Sequence, residues 1–199
     1  MRDEGRGFDS AVLFTCLLLA PLAYANVLDT FFLSDDFVVL ARASAGNSSP
    51  VYAADQGGLI RALLPVSVLA DLRLWGLNPL GFHLTNVALH ALNSFLVYLV
   101  ALRLTRDDPH AHVARRGNTP AGQTTNAPAA KRLAAVAAGL IFLLHPSHAE
   151  PVTWMTGRVD VQMAFFYLLA LLAFISYAET NLRPRLWLAL AAFALALLA

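Results

Sequence analysis

VQMAFFYLLALLAFISYA, residues 161–178, is the stretch that decides the fold. It carries no charge and is closed off by Asp160 on one side and Glu179 on the other. Crossing a hydrocarbon core of roughly 30 Å takes about 20 mostly apolar residues, and a helix satisfies its own backbone while doing so. Working outward, four more runs approach that specification. Ala11 to Leu28 is uncharged, and its apolar character resumes after Asp29 at Phe31-Phe32-Leu33. Leu80 to Leu102 opens at the turn signal Asn78-Pro79 and closes at Arg103. Leu133 to Leu144 is short, with Pro146 breaking it just beyond. A last run starts at Leu186 and is still apolar at Ala199. The expected architecture is all-α: a polytopic transmembrane helical bundle forming one membrane domain over 1–199, with spans near 11–33, 80–102, 133–145, 161–178 and 186–199. The unfinished character of the last run predicts a truncated domain.

Composition agrees. Of 199 residues 58% are hydrophobic and 14% charged, against about 45–50% and 25% in soluble domains. A net charge of +1 excludes a basic nucleic-acid binder. Cys16 is the one cysteine, which excludes a disulfide-stapled secreted domain.

Charge asymmetry predicts orientation. With the N-terminus cytoplasmic, Arg2, Arg6, Arg103, Arg106, Arg115, Arg116, Lys131, Arg132, Arg183 and Arg185 face inward, while only Arg42, Arg61, Arg73 and Arg158 face outward. That is the distribution the positive-inside rule favours. Residues 34–79 and 145–160 are then outside loops, and 105–132, rich in Gly, Thr, Pro and Asn, reads as a flexible cytoplasmic linker in which Asp107-Asp108 is a solvated pair. A competing reading makes the first run a signal peptide cut at Ala23-Tyr24-Ala25. Asp3, Glu4 and Asp9 offset its basic flank, and 34–79 is outside either way.

The outside loops hold the chemistry. Asp35 and Asp36 directly follow a span and sit between aromatics, near the interface, where a carboxylate can serve as a general base or bind a divalent cation. A helix stop capped by Ser34 or Asp35 is an equal alternative. Gly57 to Trp75 reads as an apolar interfacial helix kinked near Pro65, with Trp75 as its anchor. Asn47-Ser48-Ser49 fits a glycosylation acceptor. The second loop crowds His145, His148, Glu150, Arg158 and Asp160 into sixteen residues. A metal held by His145, His148 and Glu150 is disfavoured, because Pro146 forbids the regular helix such spacing needs. Arg158 suits a phosphate through its planar fork, or an ion pair with Asp160, which could also cap the following span. His83 and His90 fit hydrogen bonding between helices.

Two stretches together carry a family resemblance: LWGLNPLGFHLTNVALHALN at 74–93, and LHPSHAEPV at 144–152 followed by GRVD at 157–160. They resemble the N-terminal membrane region of GT-C-type glycosyltransferases, closest to the O-mannosyltransferase-like members that carry tetratricopeptide repeats, and the likeness covers about residues 11–199. It implies transfer of a sugar from a polyprenyl-phosphate donor to a protein, lipid or glycan acceptor on the non-cytoplasmic face, in a bacterial inner membrane or its equivalent. Asp35-Asp36 matches the family's acidic motif, so one of the two would be the general base of an inverting displacement. By the same resemblance Arg158, assisted by His145 or His148, would stabilise the leaving phosphate. Glu150 or Asp160 would orient the acceptor, and a divalent cation, should one be needed, would fall to Asp36 and Glu150. The family has eight or more spans, and no repeat of about 34 residues occurs here, so an N-terminal part of a larger protein, inactive alone, is expected. Two other functions fit the same helices: a non-catalytic membrane subunit that packs on a partner, and a proton-coupled transporter. The second is disfavoured because His90 is nearly the only ionisable residue in mid-span.

Overall fold

The computed structural model describes residues 2–44, 61–105 and 127–199, and among these the chain is helical, with no strand. The elements are α1 (Arg2–Ala23), a 3-10 turn (Ala25–Val27), α2 (Asp35–Ser44), α3 (Leu63–Trp75), α4 (Pro79–Leu104), α5 (Ala127–Leu144), a second 3-10 turn (Pro146–His148), α6 (Ala149–Thr153), α7 (Arg158–Thr180) and α8 (Arg183–Leu197). Three of them, α1, α4 and α7, are long and apolar enough to cross a membrane. A fourth crossing is available if α5 and the Pro146–Thr153 segment, bent 47° apart, count as one span. The protein is a multi-pass membrane protein, and α1, α7 and α8 expose large apolar side chains such as Leu22, Phe174 and Trp187.

α4 is the axis. It packs against α1, α5 and α7 within the bundle and against α3 and α6 at its N-terminal end. Its start is written locally: Asn78 caps the helix by accepting from the Leu80 N–H at 3.2 Å, and Pro79 occupies the first turn, where no N–H is needed. Gly76, at φ 61°, ends α3 just before it and lets the chain reverse. Close approach of α4 and α5 depends on Gly139, whose missing side chain leaves room for the Ser94 carbonyl. α7 ends at Asn181 in the left-handed region, and Arg185 then ties α8 back by donating to the Ser176 carbonyl (3.1 Å) and hydroxyl (2.6 Å).

Two cores result. One lies inside the bundle and joins Cys16, Ala20, Val87, Ala91, Leu143 and Val161. The other lies at the end of the bundle where α4 begins, where α2 and α3 close over α4 with Phe32, Val39, Leu64, Val68, Phe82 and Met155.

Several elements differ from the sequence reading. The first run keeps helical form only to Ala23; beyond the 3-10 turn, Phe32 leaves the span and packs edge-on against Phe82 at 5.3 Å in the outer core. α3 begins at Leu63, so Pro65 falls in the first turn and starts the helix instead of kinking it. α5 starts at Ala127, which makes the last residues of the expected linker helical; 106–126, with Asp107-Asp108, and the Asn47-Ser48-Ser49 sequon lie outside the described residues.

A Cβ at Gly139 would stand 2.9 Å from the Ser94 carbonyl oxygen, whereas one at Gly7 would meet nothing within 4 Å. Gly139→Ala should therefore lower the melting temperature of the detergent-solubilised protein by several degrees, in line with about 1–3 kcal/mol for overpacking. Gly7→Ala should leave it unchanged or raise it slightly.

Candidate functional site

The site forms where α2, the approach to α3, α6 and the start of α7 meet. Ser34, at φ 45°, bends the chain so that α2 starts with Asp35 and Asp36 in its first turn, where the helix dipole favours carboxylates. The two aspartates then part company. Asp36 is buried, at 1% exposure, and both its oxygens are taken by backbone donors: the Leu33 N–H at 3.0 Å and the Thr156 N–H at 3.1 Å. It stitches the segment before α2 to the segment between α6 and α7. Asp35 is exposed, and the Ser34 hydroxyl donates to it at 3.3 Å.

Asp35 lines a cleft of ≈ 320 Å³ together with Arg61, Glu150, Trp154, Thr156 and Asp160, among others. Three carboxylates and one guanidinium thus face one space from α2, the approach to α3, α6 and α7. Glu150 and Asp160 are both exposed. Gly157 shapes the floor, since a Cβ there would stand 2.8 Å from the Pro151 backbone. The indole N–H of Trp154 is buried and finds no hydrogen-bond acceptor among the described residues.

Arg158 lies elsewhere. It is fully buried, and each part of its guanidinium has a partner. One terminal nitrogen pairs with the Asp71 carboxylate at 2.5 Å and donates to the Phe82 carbonyl at 3.0 Å. The other reaches the Ser67 carbonyl at 3.4 Å, and Nε donates to the Asn86 side-chain oxygen at 2.7 Å. The ion pair with Asp160 anticipated from the sequence is replaced by the one with Asp71, which also accepts from the Thr85 hydroxyl at 3.0 Å.

His145 and His148 do not line the cleft. His145 is exposed and bonds locally to the Ser147 hydroxyl at 2.8 Å. His148 packs on Phe142 (4.3 Å between ring centroids) and near His90 (5.3 Å). Burial, reinforced by neighbouring His145, pushes its imidazole below the ordinary histidine value. Among the described residues no three His, Cys, Asp or Glu side chains gather where they could hold a metal ion. Asp36, with both oxygens occupied by backbone N–H groups, and Glu150, at the cleft, do not form a metal pair with a third ligand.

Asp71, Asn86 and Arg61 are the residues sequence reasoning passed over. A signal existed for Asn86: His83, Asn86, His90 and Asn93 recur at intervals of three or four along α4, all buried. Each bonds to another element, His83 with the Thr30 hydroxyl (3.1 Å), Asn86 to the Trp154 carbonyl (2.9 Å), His90 with the Leu143 carbonyl (3.1 Å) and Asn93 to the Val161 carbonyl (2.9 Å). The stripe is the inner face of α4.

The division between the aspartates is measurable. Asp36→Ala orphans two backbone donors and should destabilise the protein by about 2–4 kcal/mol, whereas Asp35→Ala should change stability by less than about 0.5 kcal/mol. Thermal melts of the purified membrane protein distinguish the two.

Comparison with known proteins follows the same lines. Protein O-mannosyl-transferase Tmtc1 of Drosophila melanogaster is 31% identical over 180 residues, covering 83% of this chain and 18% of that protein. Protein O-mannosyl-transferase Tmtc2 of the same organism is 31% identical over 199 residues, covering 90% and 19%. Human protein O-mannosyl-transferase TMTC4 is 30% identical over 113 residues, covering 53% and 13%. The chain spans about a fifth of the length of the first two relatives. No protein-family model matches it, and no solved structure does. Over the 83 to 90% of its residues that align, the chain is a homologue of the protein O-mannosyl-transferases that these Tmtc proteins represent.

Proposed function

We propose that this chain supplies the outer catalytic end of a membrane glycosyltransferase that transfers a hexosyl unit, mannosyl by the name its relatives carry, from a polyprenyl-phosphate donor to a protein hydroxyl on the non-cytoplasmic face. The observation that carries the reading is the split of the acidic pair: Asp36 is locked into the fold while Asp35 stands free at a polar cleft between the outer ends of the helices. The relatives' names support the reaction class, and the charge asymmetry of the loops supports the side of the membrane.

In this reading Asp35 is the general base. It accepts the proton of the acceptor hydroxyl as that oxygen bonds to the anomeric carbon. The bond from the anomeric carbon to the phosphate oxygen breaks, configuration inverts, and polyprenyl phosphate leaves with the electron pair. A phosphate leaving group needs charge stabilisation more than a proton, and Arg61 is the cation the cleft offers it, in place of the buried Arg158. Glu150 and Asp160, across the same space, orient the acceptor. His145 and His148 carry no step, and none is routed through a metal.

The test uses the full-length protein that contains this chain, in membranes, with polyprenyl-phosphate mannose and an acceptor peptide bearing Ser and Thr. Asp35→Asn should cut the transfer rate by about 10²- to 10⁴-fold while leaving membrane insertion intact. Arg61→Gln should raise the donor KM by about tenfold or more. Transfer by Asp35→Asn at the wild-type rate would overturn Asp35 as base and leave a packing or scaffold role for the loop.

A further inference from the structure

We infer that Asp71 and Arg158 are positioning residues: a buried strut that fixes the Trp154–Thr156 turn, and through Asp36 sets where Asp35 stands in the cleft. The inference rests on the proposed role of Asp35.

The pair is deeply buried. Arg158 has 0% and Asp71 6% side-chain exposure. Taking two charges out of water costs so much that well-packed apolar residues of similar volume are often as stable or more so. Stability alone therefore gives a poor account of this pair. Direction gives a better one. Arg158 stands at the first position of α7, yet its donors run to Asp71 and the Ser67 carbonyl on α3 and to Asn86 and the Phe82 carbonyl on α4. One planar fork thereby fixes three helices against each other, which no aliphatic side chain can do.

The bonds continue toward the cleft. Asn86, oriented by Arg158 Nε, donates its amide to the Trp154 carbonyl at 2.9 Å. Two residues on, the Thr156 N–H donates to Asp36 at 3.1 Å, and the second Asp36 oxygen accepts from Leu33 at 3.0 Å. Trp154, Thr156 and Asp35 are all walls of the cleft. Every link from Asp71 to the residue beside Asp35 is a direct hydrogen bond or one turn of backbone, and none of the buried links lines the cleft.

Two variants of the full-length protein separate positioning from folding. Arg158→Met combined with Asp71→Leu removes both charges and keeps the volume, so it should insert and melt at or above the wild-type temperature. Its kcat should nevertheless fall by about 10- to 100-fold with the donor KM unchanged, because the base is displaced by a fraction of an ångström while the phosphate contact remains. Arg158→Lys keeps the charge pair and loses the fork; it should lose kcat in the same way. Hydrogen exchange at the Leu33 and Thr156 amides, which needs no transfer activity, should be faster in both variants than in wild type. A double variant with wild-type kcat and wild-type amide protection would overturn the inference, and failure of both variants to fold would do so as well, assigning the pair to folding alone. Absence of transfer by the wild-type protein would instead overturn the proposed function, with amide exchange still deciding whether the strut holds the turn.

Discussion

The guanidinium of Arg158, sealed from water against Asp71 and Asn86, is the contact that sets α3, α4 and α7 in register with one another. Helices in a bilayer gain little from burying apolar faces against each other, because lipid is equally apolar. Small residues and interhelical hydrogen bonds must do the ordering. Here Gly139 admits the Ser94 carbonyl, and the α4 stripe of His83, Asn86, His90 and Asn93 reaches a different neighbour at each step. Arg158 is the most highly connected member of that system, with partners on both α3 and α4. Where it sits, the membrane bundle hands over to the layer of α2 and α3 that closes the outer core.

That handover explains why two adjacent aspartates do different work. The backbone between α6 and α7 presents the Thr156 N–H to Asp36, and the segment before α2 folds back to present the Leu33 N–H. With each of its oxygens accepting one backbone N–H and almost none of its surface exposed, Asp36 is part of the frame. Asp35, one residue earlier at the start of α2, faces away from that frame into a space shared with Arg61, Glu150 and Asp160. The separation of a fixed carboxylate from a free one follows from helical geometry, since successive residues point about 100° apart.

Much of this was legible in the sequence. The uncharged run at 161–178, the Asn78-Pro79 start of α4 and the break at Pro146 each act through local chemistry, and each marks an element boundary in the structure to within a few residues. The placement of Asp35 and Asp36 near a helix end was legible for the same reason. The partners of Arg158 were not: Asp71 lies 87 positions away, in the stretch read as an interfacial helix, and only the tertiary packing of α3 on α4 and α7 brings the two together. Arg61 was hidden likewise, as one of four outward arginines with nothing local to single it out. Phe31-Phe32-Leu33 misled because hydropathy records that a residue avoids water without saying whether lipid or a protein core receives it.

The most direct measurement is an experimental structure of the full-length protein in a lipid bilayer with polyprenyl phosphate bound. The account predicts the phosphate within hydrogen-bonding reach of Arg61, Asp35 open to the cleft, and Arg158 dry and still paired with Asp71. A phosphate held by Arg158, with Asp71 released and Asp35 turned away from the cleft, would contradict it.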